Sequence, residues 1–367
     1  MIASLESLDW HCFLGRPRVP APAIETLDAF RNASILITGA GGSIGSALAL
    51  RLAALAPSRL VLLESSESNL FALQQSFEKA ALLAKPFFVL GGLSAPPLLD
   101  EIFSTKAPRL VFHAAAFKQV PLLEEQPLAA VENNVFGTRH LVCAATAHGA
   151  RVVLLSTDKA VEPASIMGAT KRAAEYMVLD AAGTVLRLGN VLASRDSVAE
   201  LFACLIAAGQ PITVTDPAAR RFFLTLDEAV DLLLTAAVSP EPPALFAPDL
   251  PAPHFIVDLA RFMANAVAPS REVRIDFSQL RAGDKEAEKL WSSAESVVKT
   301  TAGPLLRIQS PRPQTALLSS ALDTLHMALD SRDSLAALGI LRALVPDYTP
   351  SNTLLAQFPQ HASRVSP

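Results

Sequence analysis

The sequence is short of cysteine, clustered histidine, basic runs and long apolar stretches, and each shortage closes a class of function. Cys12, Cys143 and Cys204 are the only cysteines among 367 residues. Odd in number and far apart, they make neither a disulfide framework nor a zinc site, and a reducing cytoplasm is the expected setting. Seven histidines, none in a ligand-like group, point away from a catalytic metal. The net charge of −4 comes without a basic run, so nucleic acid is not an expected partner. Half of the chain is apolar (51%), yet no run reaches the roughly 18 uncharged apolar residues of a membrane span. The start, Met1-Ile-Ala-Ser-Leu-Glu-Ser-Leu-Asp9, lacks a basic segment and a continuous apolar core, so no signal peptide is expected. No internal repeat of fixed period stands out.

What the chain does have is strand–helix alternation. Residues 1–31 read as an arm broken by Gly15-Arg-Pro-Arg-Val-Pro-Ala-Pro22, with a helical turn or two over Ile24 to Phe30. From Ser34 the short apolar runs at 35–38, 59–64, 86–90, 110–113 and 151–155 are separated by helical stretches at 44–56, 67–83 and 131–148. Buried, non-alternating strands in that order predict an α/β, doubly wound parallel sheet over residues 32–187. Residues 188–309 read as a mixed, substrate-binding region that returns to the core at about 222–238, with helices expected at 198–208, 226–237, 257–268 and 287–291. Leu318, Leu322, Leu325 and Leu329 share one face of a helix, and Leu335, Leu338, Leu341 and Leu344 one face of the next. Residues 310–367 therefore read as a helical hairpin, packed on the body or on another subunit, and a tail whose last fifteen or so residues look disordered.

Two loops at strand ends carry chemistry. Thr38-Gly39-Ala40-Gly41-Gly42-Ser43-Ile44-Gly45 lies between the first strand and the first helix. Gly39 permits the tight turn, Gly42 lets backbone approach a pyrophosphate, Gly45 lets the helix pack on the sheet, and the helix amino end favours the negative charge. Glu64 ends the second strand, nineteen residues beyond Gly45; a carboxylate there accepts ribose hydroxyls and repels a 2′-phosphate, which favours NAD over NADP. The second loop follows the strand at Arg151. Ser156-Thr157-Asp158-Lys159 delivers a hydroxyl, a carboxylate and an amine to the edge where ligands of open α/β sheets sit, and a helix from about Met167 carries Lys171 one turn later. Thr157, Asp158, Lys159, Met167 and Lys171 can converge on one pocket; an ordinary solvated Asp–Lys pair and a core methionine are the alternatives.

Several segments together resemble one family. Thr38-Gly-x-x-Gly-x-x-Gly45 is similar to the extended short-chain dehydrogenases, and His113-Ala-Ala-Ala-Phe-Lys-Gln-Val-Pro-Leu122 resembles the nucleotide-sugar 4,6-dehydratases of capsule and O-antigen synthesis. Asn134-Val-Phe-Gly-Thr138, Ser156-Thr-Asp-Lys-Ala-Val161, Met167-Gly-Ala-Thr-Lys-Arg172, Arg187-Leu-Gly-Asn-Val-Leu-Ala-Ser194, Gly209-Gln-Pro-Ile-Thr-Val-Thr-Asp-Pro217 and Arg221-Phe-Phe-Leu-Thr225 continue the likeness in order. It is dense from about Leu14 to Leu234 and thin beyond. The family has a form with tyrosine at the Met167 position and a form with methionine. The methionine form usually carries membrane helices ahead of the catalytic part, and Phe13-Leu-Gly-Arg-Pro17 resembles the linker behind them. The resemblance thus implies a soluble catalytic unit, expected to be a homo-oligomer.

The resemblance implies a UDP-N-acetylhexosamine substrate such as UDP-N-acetylglucosamine, a 4-keto-6-deoxy product, and NAD held as a recycled cofactor. On this likeness Gly39, Gly42, Ser43, Ile44, Gly45, Glu64, Ala114, Ala115 and Lys171 hold the cofactor. Lys159 is the base for C5, on condition that burial or cationic neighbours lower its pKa. Asp158 is the acid for the C6 hydroxyl, Thr157 bonds near the C4 oxygen, and Lys171 binds the nicotinamide ribose. Met167 cannot take the C4 proton as tyrosine would, so Asp158 or water must, and the likeness suggests retention at C5. Lys118, Asn190, Arg221 and Arg281 are the implied substrate contacts: Lys118 near the sugar, and Asn190, Arg221 and Arg281 at the diphosphate, with a surface ion pair as the alternative for Arg221. Departures fall at Gly92, where an adenine-binding aspartate is usual, at Gln119, at Asp196, and across 240–291. A nucleotide-sugar 4-epimerase, or an NAD-binding protein without turnover, are the rival readings.

Overall fold

The protein is described from a computed structural model covering residues 5–358 apart from 81, 83, 240, 241 and 302. Nine strands form one sheet: β1 (Ser34–Thr38), β2 (Arg59–Glu64), β3 (Phe87–Leu90), β4 (Leu110–His113), β5 (Arg151–Thr157), β6 (Thr184–Leu188), β7 (Ala244–Pro248), β8 (Ser296–Lys299) and β9 (Leu305–Gln309). Their order is β8-β9-β7-β6-β5-β4-β1-β2-β3. The run from β3 to β7 is parallel, and β9 and β8 close the other edge antiparallel. The doubly wound reading is therefore correct, with the strand order reversing between β1 and β4. That switch point opens a crevice at the carboxyl edge of the sheet.

The strands are apolar on both faces because helices cover both. All of β6 is buried, and so is every residue of β1 except the first. The Ser43–Ala53 helix packs against Leu226–Ala237. The Leu226–Ala237 helix starts with a capping box, Thr225 accepting from Glu228 N while the Glu228 carboxylate accepts from Thr225 N.

The remaining elements depart from the reading at definite places. Val131–His148 is not one regular helix: Val131–Phe136 is a π-turn segment and Gly137–Ala147 an α-helix. The wide turns aim the Asn134 amide at residue 117, accepting from Phe117 N (2.8 Å) and donating to Phe117 O (3.0 Å) and Thr170 Oγ1 (3.2 Å). The Pro96–Lys106 helix went unread; its two prolines occupy the opening positions, where no intrahelical N–H is needed. No helix forms at 287–291. There the backbone instead pairs with β-structure, Ala287 bridging Arg220 and Glu286 O accepting from Arg220 N.

The amino-terminal arm is a built part of the fold. Trp10 and Leu14 bury in a second apolar core with Phe202, Ile212, Leu259 and Met263. The Arg16 guanidinium lies on both carboxylate oxygens of Glu228, at 2.7 and 2.9 Å. The carboxyl-terminal hairpin is Thr315–Asp330 and Ser334–Leu344, and its leucine faces join the main core of this same chain. Part of the stretch expected to be disordered is the helix Asn352–Ala356; residues 359–367 lie outside those described. Among the described residues no helix is long and apolar enough to cross a membrane.

Candidate active site

The first wall of the crevice is the glycine-rich loop. Gly39 has φ +66°, and a Cβ there would stand 2.7 Å from Ala115 backbone, so the turn and its contact with the Ala114-Ala115 strand end both require glycine. Ser43, Ile44 and Gly45 open the following helix, and its N-cap, Gly42, supplies no capping side chain. Their amides remain available to an anion at the positive end of the helix dipole. The Glu64 carboxylate ends β2 beside them, accepting from Gly41 N and Ser66 N at 2.9 Å each. Two accepted bonds leave an ionised carboxylate with further lone pairs for ribose hydroxyls. This wall therefore fits a dinucleotide, and Gly92 brings no carboxylate to its adenine end.

Arg195, which the sequence reading left without a role, closes over this wall, and Lys118, expected near the sugar, bonds to it. The Arg195 guanidinium donates to Gly41 O (3.1 Å) and Asn69 Oδ1 (2.8 Å), and Arg195 N donates to Ser43 Oγ (2.9 Å). Lys118, half exposed, donates to Arg195 O at 2.6 Å, so it supports this loop. Asp196, one of the departures from the resemblance, takes a left-handed backbone, φ +55°.

The second wall is the end of β5. The Thr157 hydroxyl donates to Asp158 Oδ1 (2.9 Å), and Lys159 Nζ donates to the same oxygen (3.1 Å) and to Asn190 Oδ1 (3.1 Å). Asp158 is fully buried, and among the described residues its Oδ2 has no hydrogen-bond partner. Glu288 Oε1 lies 3.7 Å from Lys159 Nζ. The solvated-pair alternative for Asp158 and Lys159 is thereby excluded. Glu288 was missed because it sits in the thinly matched region where a helix was expected.

The electrostatics of the pair follow from these neighbours. Burial pushes the Asp158 carboxyl above the usual aspartate range, with Lys159 opposing the shift and Glu288 adding to it. Burial acts against the Lys159 charge too, but Asp158 and Glu288 together outweigh burial and Arg221, so the ammonium is held above the ordinary lysine range. The condition set for a basic Lys159 is not met while both carboxylates are ionised. Lys171 behaves differently: burial, only partly offset by Glu175, brings its amine down to about 8 while Nζ donates to Leu155 O at 2.8 Å.

The Ile166–Asp180 helix sets Met167 and Lys171. Ser165 caps it by accepting from Gly168 N, and a Cβ at Gly168 would stand 2.2 Å from Lys159 O, so glycine allows the helix to press on the Lys159 turn. Met167 is buried in the main apolar core and presents no acid or base to the crevice. Beneath the site, His113 bonds Thr38 Oγ1 (2.8 Å) and Thr138 Oγ1 (2.9 Å), and burial with Lys171 nearby brings its imidazole down to about 3. Glu175 accepts from Ser156 Oγ (2.6 Å) and joins Arg172, Arg187 and Glu295 in a buried charge cluster.

The four expected substrate contacts are not brought together. The Asn190 amide oxygen is taken by Lys159. Arg221 is buried, and its guanidinium donates to the carbonyls of Arg220 (2.8 Å), Glu286 (3.1 Å) and Lys285 (2.8 Å), so it is a clip for the 285–288 segment and not a surface ion pair. Arg281 is largely exposed and paired with Asp284 at 3.0 Å.

Comparison with known proteins shows which family and fold the chain resembles. The family model described as polysaccharide biosynthesis protein matches residues 35–310. The chain is 34% identical over 304 residues to the capsular polysaccharide biosynthesis protein CapD of Staphylococcus aureus, covering 80% of this chain and 51% of that protein. It thus spans about half the length of that relative. It is 34% identical over 280 residues to the UDP-glucose 4-epimerase of Rickettsia rickettsii, covering 72% of this chain and 80% of the other. Among solved structures it is similar to Pen from Bacillus thuringiensis, with TM-score 0.72 and 29% identity, covering 77% of this chain and 89% of that one.

Proposed function

The chain belongs to the polysaccharide biosynthesis protein family, and we propose that it is an NAD-dependent 4,6-dehydratase of a UDP-N-acetylhexosamine, with UDP-N-acetylglucosamine the first substrate to try. The observation that carries this reading is the Asp158–Lys159 pair, joined at 3.1 Å at the carboxyl edge of the sheet. An epimerase needs only C4 oxidation and reduction. A dehydratase must also move a proton off C5 and another onto the C6 hydroxyl, which is work for an acid–base pair.

NAD held by the loop amides, Glu64, Ala114, Ala115 and Lys171 would accept a hydride from C4 and give it back at C6. Glu64 supports NAD over NADP by repelling a 2′-phosphate. The rest falls to the side chains. With Met167 in the tyrosine position, the C4 hydroxyl proton passes to the Thr157 hydroxyl, whose own proton moves along its 2.9 Å bond to Asp158. Neutralising Asp158 removes one of the two charges that hold the Lys159 proton. Lys159, whose side chain is 20% exposed, releases that proton to water and its amine takes the C5 proton. Asp158 then gives its proton to the C6 hydroxyl, which leaves as water. Lys159 returns its proton to C5 as hydride reaches C6, and regains one from solvent. One proton has travelled from O4 to the departing water, and both side chains end as they began.

The second reading, a 4-epimerase, is favoured by the likeness to the Rickettsia rickettsii protein. Purified protein incubated with UDP-N-acetylglucosamine and no added reductant separates the two. Loss of about 18 mass units with a hydrated C4 ketone and a C6 methyl by NMR is the expected result. Unchanged mass with an inverted C4 would replace dehydratase by epimerase, and no change with any UDP-hexosamine while NAD still binds would overturn both.

A further inference from the structure

Glu288 is 4% exposed, and its carboxylate faces three cations: Lys159 Nζ at 3.7 Å, Lys285 Nζ at 3.1 Å and Arg221 Nε at 4.0 Å. It lies in neither a helix nor a strand. Its segment is fixed by side chain to backbone bonds, Arg221 on the carbonyls of Lys285 and Glu286, and Lys285 Nζ on Val161 O at 2.7 Å. That last bond ties the segment to the residue two beyond Lys159. A buried carboxylate brought 129 positions along the chain to a lysine, and held there by two cations of its own, is costly to assemble unless its charge matters. The groups facing Lys159 are then Asp158 from its own turn, Asn190 from the short strand beyond β6, and Glu288 and Arg221 from the far side.

We propose that Glu288 is a positioning residue of the acid–base site: a second carboxylate, fixed on Lys159, that decides when this amine is free to take a proton. Asp158 changes charge during the cycle, whereas Glu288, flanked by Lys285 and Arg221, stays ionised throughout. It thus keeps a counter-ion on Lys159 after Asp158 is neutralised, and brings a solvent proton back to the amine once Lys159 has returned its own to C5. Glu288 raises both members of the pair and sets the pH at which the rising limb of turnover begins.

The inference rests on reading Asp158–Lys159 as the acid–base pair, so its test needs a measure independent of turnover. Competitive acetylation of the cofactor-loaded protein with acetic anhydride across pH, read on the Lys159 peptide by mass spectrometry, titrates that amine directly. In wild type Lys159 should titrate above a free lysine, and in Glu288→Gln its midpoint should fall by about one unit or more, the effect of losing one close opposite charge. The pH–rate profile with UDP-N-acetylglucosamine should move to lower pH by the same amount, leaving the variant more active than wild type on the acid side. Glu288→Asp should keep the wild-type midpoint. An unmoved Lys159 midpoint in Glu288→Gln overturns the proposal even if dehydration is observed. If Glu288→Gln does not fold, a wild-type midpoint at or below that of free lysine overturns it alone. A shifted midpoint with no loss of 18 mass units in wild type would uphold the coupling and overturn the dehydratase instead.

Discussion

His113 makes stability depend on pH in a range where few other groups act. Its ring is buried and wedged between the Thr38 and Thr138 hydroxyls, so one nitrogen donates, the other accepts, and the imidazole is neutral. In the unfolded chain it takes a proton near 6.5, but in the fold only near 3. Between these values the unfolded state binds the extra proton, so the stabilisation is whole above pH 6.5 and is lost as pH falls toward 3. The loss is about 1.4 kcal/mol for each pH unit, hence about 2 kcal/mol between pH 6.5 and 5. Half-buried His254 is lowered in the same direction, chiefly by burial, and adds to the slope. Most carboxylates titrate lower, which leaves pH 7 to 5 as a clean window. Urea unfolding at pH 7, 6 and 5 should show the decline in wild type and a much flatter line in His113→Gln, whatever that variant loses at pH 7. Equal slopes for the two proteins would refute a neutral, buried His113.

The other predictions concern charge. Arg187→Met leaves the buried carboxylates of Glu175 and Glu295 with Arg172 as their remaining cation, after the loss of four hydrogen bonds of 2.8 to 2.9 Å. Breaking such a cluster should cost about 3–5 kcal/mol in urea unfolding, and a loss under about 1 kcal/mol would mean the carboxylates neutralise instead. Lys159→Ala should abolish the loss of water from UDP-N-acetylglucosamine while NAD, measured by release on denaturation, stays bound. Wild-type turnover in that variant would remove Lys159 as the base.

The glycine-rich loop and the end of β5 were legible because their chemistry is local. A strand, a turn and a helix amino end follow each other within twelve residues, and the residue types needed for close approach are glycines, which announce themselves. The same locality made Thr157, Asp158 and Lys159 visible. The Pro96–Lys106 helix was obscured because prolines, read as breakers, here begin a helix, and the π-turns at Val131–Phe136 have the composition of ordinary helix. The arm was read only as an arm because the buried partners of Trp10 and Leu14 lie far off in sequence, at residues 192–263.

The reversal at Lys159 has the same origin and a sharper lesson. From sequence, its charged neighbour is Asp158 alone, and burial at a strand end could win against one carboxylate. The second carboxylate arrives only through the fold, by way of Arg221, whose sequence motif suggested phosphate and whose guanidinium here donates to three backbone carbonyls. The backbone bonds of Arg221 and the unseen glutamate thus explain each other. An Arg221 variant should therefore disturb Lys159 before it disturbs a diphosphate: Arg221→Met, by releasing the 285–288 segment, should lower the Lys159 acetylation midpoint as Glu288→Gln does. If it weakens UDP binding while the Lys159 midpoint is unmoved or rises, as loss of the Arg221 charge alone would make it, the clip is not what holds Glu288, and the phosphate role suggested by the motif returns.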